Sequence, residues 1–178
     1  MNQISSPDQL LDNILIKGIC ADIHFVLMNK RIHAAILLTY AGMDAMATLD
    51  RPAGVDKVSR MDFVRWTDTY IQFKDGTISG LELYSARCAM LHNYGSESDL
   101  TRTGEARQIG YTAGGGPDVM TKEDVPGLVL VSVEGLIDAF FQGIQKYMKS
   151  LLANPNRRML VAQRLPKMLN EFQLKDLK

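Results

Sequence analysis

The chain has 178 residues, 46% apolar but only 7% aromatic, which suits one core of packed helices better than a β-sandwich. Twenty basic residues balance twenty acidic ones, so the formal net charge is zero. That balance argues against extended nonspecific binding along nucleic acid and is permissive for self-association. Cys20 and Cys88 are too few for a disulfide framework or a cysteine-built zinc site, and neither metal nor cofactor is expected. The longest uninterrupted apolar stretch, Ala34 to Leu38, is too short to span a membrane, and no signal-peptide pattern is present. The expectation is a single cytoplasmic domain over residues 1–178 without membrane contact.

In chain order, residues 7–28 carry apolar positions at spacings of three and four, opened by Ser6-Pro7, with Gly18 as a bend point. Residues 31–49 are apolar almost all round, with Ile32, Ile36, Thr39, Met43 and Met46 in one stripe; such a helix is a buried one. Residues 60–73 place Phe63, Trp66, Tyr70 and Phe73 at helical spacing after a Ser59/Asp62 capping pattern. Ser79 and Glu82 form a capping box that starts a fourth helix running to Asn93. Residues 94–127 are rich in Gly, Ser, Thr, Asp and Glu. Within them, residues 107–111 predict a strand that pairs antiparallel with residues 129–131. Helix returns over residues 133–152, with Ser132 as cap. After the Asn154-Pro155-Asn156 break, a last helix runs to about Gln163, followed past Pro166 by a short piece carrying Leu169 and Phe172. The fold class is therefore mainly α: a four- to five-helix bundle with a two-stranded β excursion between the fourth and fifth helices.

The one constellation with chemical content is Arg87 and His92 on the fourth helix. At 100° per residue they lie roughly 140° apart, so they do not form a tight pair within one helix but can share a cleft with a second helix or a second copy. Arginine offers a planar fork to a phosphodiester, and histidine moves protons near neutrality. Together they suit metal-free RNA cleavage, with histidine assisting the attacking 2′-hydroxyl or the leaving group and arginine stabilising the transition state. Tyr94 is placed to stack on a base, and Arg102 and Arg107 to contact phosphate; ion pairs with Glu97, Asp99 or Glu105 compete for both arginines. Asp44, on the buried second helix, needs a partner, and Arg87 is the candidate. His24, His33 and Tyr84 read as core or surface residues, and Gly114–Gly116 as a loop tip.

The string Leu83-Tyr84-Ser85-Ala86-Arg87-Cys88-Ala89-Met90-Leu91-His92-Asn93-Tyr94, with its exit Glu97-Ser98-Asp99-Leu100-Thr101-Arg102, resembles the Arg-x4-His motif of the HEPN superfamily. The resemblance extends over roughly residues 8–150, although its specific part is one helix and its exit. It implies a helical bundle, a homodimer that brings two motifs into one cleft, binding of RNA or a nucleotide, and metal-independent endoribonuclease activity in toxin–antitoxin or defence systems, with an antitoxin protein as partner. It makes Arg87 and His92 the catalytic residues. Active members usually carry a polar residue directly after the arginine, where this chain has Cys88. The alternative expectation is a catalytically inactive helical-bundle interaction protein.

Overall fold

The computed structural model describes residues 7–122 and 124–168. Ser6, Leu169 and Phe172, to which the sequence assigns a cap and a terminal helical piece, lie outside the described residues.

The protein is mainly α-helical. Helix α1 (Pro7–Asp12) continues through a π-helical stretch, Asn13–Cys20, into α2 (Ala21–Met28). Gly18 lies in the π stretch, where a Cβ would meet the Asn13 carbonyl oxygen at 3.2 Å. The expected bend point is thus a widened helical turn. A tight turn leads to α3 (Ile32–Asp50), whose Ile36, Thr39, Met43 and Met46 are fully buried as the stripe requires. Among the described residues α3 is the one helix long and apolar enough, at a mean hydropathy of 1.3, to cross a membrane. Half of that stretch is buried inside the bundle, so its apolarity is that of a core helix.

Helices α4 (Arg60–Tyr70) and α5 (Gly80–Asn93) each open on the anticipated capping box, Ser59 with Asp62 and Ser79 with Glu82. Helix α7 (Val133–Leu152), capped by Ser132, lays Leu136, Ile137, Phe140, Ile144, Tyr147 and Leu151 into the core against Trp66 and Phe63. The Phe140 ring comes so close to α3 that a Cβ at Gly42 would lie 2.5 Å from its Cζ. Helix α8 (Pro155–Arg164) closes the described chain with a 3₁₀ turn, Leu165–Lys167.

The fold departs from the expectation in three places. Helix α4 stops at Tyr70, which leaves Phe73 of the aromatic stripe beyond its end. Residues 94–127 contain a one-turn helix, α6 (Asp99–Arg102), capped by Ser98, so the helices outnumber the four or five expected. The β excursion has three strands, β1 (Gln108–Thr112), β2 (Val119–Thr121) and β3 (Leu128–Ser132), in the order β1-β3-β2. β1 pairs with β3 in parallel, Ile109 opposite Val129 and Tyr111 opposite Val131; the antiparallel partner of β3 is β2. The three-residue β2 reverses the chain between them, so β1 and β3 run the same way. β1 packs on α5, which seats the sheet beside the candidate site's helix.

Candidate functional site

The site lies where α5 runs antiparallel to α3. Two contacts fix that sense: Arg87 meets Asp44, and seven residues later Tyr94 meets His33, eleven residues earlier on α3. The Arg87 side chain is half-buried; its Nε donates to Asp44 Oδ2 at 2.7 Å, and its Nη2 forms an ion pair with the same oxygen at 2.7 Å. Asp44 thus takes the cation that its place on a buried helix demands. Burial pushes its carboxyl above the usual carboxylate range, and Arg87 pulls it down only in part. Burial also works against the guanidinium's charge, but hydrogen bonding and attraction to Asp44 outweigh it and raise Arg87 further.

The remaining edge of the fork turns along α5. Arg87 Nη1 lies 3.2 Å from His92 Nε2. The expectation that these residues do not pair within one helix is therefore corrected. They are separated by about 7.5 Å of helix rise, a span the long arginine side chain covers once Asp44 holds it across the groove. Arginine only donates, so His92 Nε2 accepts, which leaves the imidazole proton on Nδ1 in this arrangement. His92 is exposed to solvent, and so is Asn93 beside it. Cys88 is half-buried with its Sγ 3.9 Å from Arg87 Nη1, and Tyr84 lies under the guanidinium at 6.0 Å while its ring meets Phe63 edge-on. The Nε2 lone pair is engaged by Arg87, so the imidazole accepts a proton only when that contact gives way, as when a bound anion takes over Arg87 Nη1.

The other sequence-nominated residues are placed differently. Tyr94 ends α5 in the left-handed conformation, φ 51°, and its ring stays 61% exposed two residues beyond His92. Arg102 pairs with Asp99 and lies 4.0 Å from Glu97, the competing use the sequence allows. Arg107 is not brought to the motif. It binds Glu82 through Nε and Nη2 and donates to the Thr77 carbonyl at 3.0 Å. Glu82 is ten residues from His92, about 15 Å along α5. Arg107 therefore holds the opposite end of the helix and tethers β1 to it.

The α2–α3 turn supplies residues that sequence reasoning did not nominate. Lys30, with φ 58°, and Arg31 precede α3, and His33 on its first turn meets the Tyr94 ring at 5.7 Å and 81°. No spacing rule signals this neighbourhood, because His33 and Tyr94 meet across sixty residues of intervening chain. His24 is exposed on α2, away from these contacts. Among the described residues no group of three or more His, Cys, Asp or Glu side chains forms a metal-holding cluster. Cys20 is free and half-buried, its thiol pushed up to about 11 by burial. Neither the protein-family models, nor the curated proteins, nor the solved structures contain a match to this chain.

Proposed function

We propose that this chain is a HEPN-like RNA- or nucleotide-binding protein that cleaves RNA without a metal ion at Arg87 and His92. The observation that carries the reading is the 3.2 Å contact between Arg87 and an exposed His92, with the arginine anchored by Asp44. In the proposed reaction, the substrate phosphate takes over Arg87 Nη1, and the freed His92 Nε2 accepts the proton of a 2′-hydroxyl as its oxygen attacks the adjacent phosphorus. Arg87 stabilises the charge that develops on the phosphoryl oxygens. The P–O5′ bond breaks, the leaving oxygen takes up a proton from water, His92 gives its own back to the resulting hydroxide, and the products are a 2′,3′-cyclic phosphate and a 5′-hydroxyl. The proposal includes a cytoplasmic homodimer with the α5 helices facing each other, and an antitoxin protein as partner. Light scattering on the purified chain reads the dimer directly.

The test is RNA cleavage in EDTA by wild type, Arg87→Ala and His92→Ala. The expected result is cyclic-phosphate and 5′-hydroxyl ends from wild type and a loss of at least about a hundredfold in either variant. Equal cleavage by all three, or none by any, removes the catalytic claim. His92 is exposed, so its replacement leaves the core untouched.

One observation favours a second reading. Two of the three Arg87 nitrogens are spent on Asp44, and Cys88 stands beside them. In that reading the chain is an inactive helical-bundle interaction protein, and Arg87 is an internal brace.

A further inference from the structure

Beyond the Arg87–His92 pair, the exit of α5 and the α2–α3 turn enclose a shallow depression of about 340 Å³ lined by Lys30, Arg31, His33 and Tyr94. Lys30 and Arg31 are both exposed, and among the described residues neither side chain has an ion-pair or hydrogen-bonding partner. Their backbone is nonetheless held, Lys30 N–H donating to the Leu27 carbonyl at 2.8 Å and Arg31 N–H to Val26 at 2.9 Å. The two positive charges are thus presented from a fixed turn. Tyr94 is equally fixed, since its own N–H and that of Gly95 donate back to Met90 and Ala89 at 3.1 Å. The contact with His33 is perpendicular and not stacked, and Tyr94 remains 61% exposed.

We infer that this depression is a second contact point for a single-stranded polynucleotide, with Tyr94 as the stacking surface for a base and Lys30 and Arg31 on the neighbouring phosphates. The inference rests on the proposed function and narrows its ligand from RNA or nucleotide to single-stranded RNA of several units. Arg87 and Tyr94 are seven residues apart on one helix, about 10 Å, so a strand reaching both exposes phosphate at one and base at the other. An exposed aromatic ring beside unpaired cations is the chemistry that binds single strands, because every base has a face to stack and every unit a phosphate. Paired bases in a duplex have no free face for Tyr94.

The experiment measures binding of a single-stranded 2′-O-methyl oligoribonucleotide of about ten units, which cannot be cleaved, across a salt series by fluorescence anisotropy. A duplex of the same sequence and a mononucleotide serve as comparisons. The Lys30→Ala/Arg31→Ala chain should weaken binding and reduce the log–log salt slope by about 1.4, two phosphate contacts' worth on a single strand. Lys149→Ala, which removes a charge on α7 far along the chain, should leave the slope unchanged. Tyr94→Asn, which tolerates the left-handed backbone, should lose about tenfold in affinity, whereas Tyr94→Phe should keep it. An unchanged slope in the double variant, equal binding of the duplex, or a mononucleotide bound as tightly as the strand overturns the inference. If His92→Ala still abolishes cleavage in that case, the proposed function stands without it. If the strand binds as described but no chain cleaves RNA in EDTA, the contact point stands and the catalytic claim falls. A wild-type chain that neither binds nor cleaves removes both.

Discussion

Arg87 serves two neighbours at once, and that double duty decides what can replace it. Nε and Nη2 hold Asp44 while Nη1 reaches His92. A lysine keeps the charge but has one nitrogen on a flexible stem, so it can satisfy Asp44 or face His92 and not both. Arg87→Lys should therefore unfold within a few degrees of wild type while losing at least about tenfold in cleavage; thermal melts and the EDTA assay read the two effects separately. Full activity in this variant would show that the fork geometry is irrelevant. The residue-level site was partly legible from sequence. The chemistry of Arg87, His92 and Asp44 follows from residue type and from Asp44's place on an apolar helix. The close approach of Arg87 to His92 was not legible, because helical angles describe Cβ directions and not where a long side chain ends once a neighbour anchors it. Lys30, Arg31 and His33 were invisible for a different reason: their neighbourhood exists only after α3 and α5 pack.

At the scale of elements, α5 is held at both ends by different means. Its exit is the Tyr94 turn; its start is the Ser79–Glu82 capping box, to which Arg107, the residue before β1, adds a charge. Burial pushes the Glu82 carboxyl up, but hydrogen bonds from Arg107 and Ser79 together outweigh it and hold the group below its usual value of 4.5. A depressed carboxylate favours folding above its unfolded value, and that stabilisation disappears as pH falls through the lower folded one. Glu82→Gln keeps the box and removes the charge, costing about 1 kcal/mol at neutral pH. The stability difference between the two chains should shrink as pH drops below 4.5 and vanish on the acid side. Urea titrations across that range check it, and a difference constant with pH would mean Arg107 contributes nothing through charge. The capping boxes of α4 and α5 were readable because Ser and an acid three residues apart act locally. The sheet was not, because β2 is three residues long and strand partners are chosen by the fold, not by either strand's composition.

Across the whole molecule, α8 is fastened by three arginines: Arg158 pairs with Asp8, Arg164 donates to the Leu49, Arg51 and Pro52 carbonyls, and Arg157 reaches three helices at once. Arg157 donates to Asp50 at 2.6 Å from Nε, to the Tyr70 hydroxyl at 2.7 Å and to Ser150 Oγ at 3.1 Å. Its guanidinium also lies 5.0 Å over the Tyr147 ring. It thereby ties α8 to the ends of α3 and α4 and to the last turns of α7, and it does so through none of the residues of the candidate site. Arg157→Ala strands a carboxylate that is 10% exposed, a loss of about 3 kcal/mol. In a chain of this length that lowers Tm by about 10 °C. Burial already pushes Asp50 above its usual range with Arg157 in place. Without that partner the carboxyl rises further and takes up a proton on mild acidification, so the penalty should be smaller at acidic than at neutral pH. Because the brace and the site share no partner, the Tm effects of Arg157→Ala and His92→Ala should add in the double variant, and Arg157→Ala alone should leave oligonucleotide affinity intact at temperatures where the chain is folded. Non-additive melting, or a loss of binding in the folded Arg157→Ala chain, would show that α8 and the α3–α5 groove act as one unit.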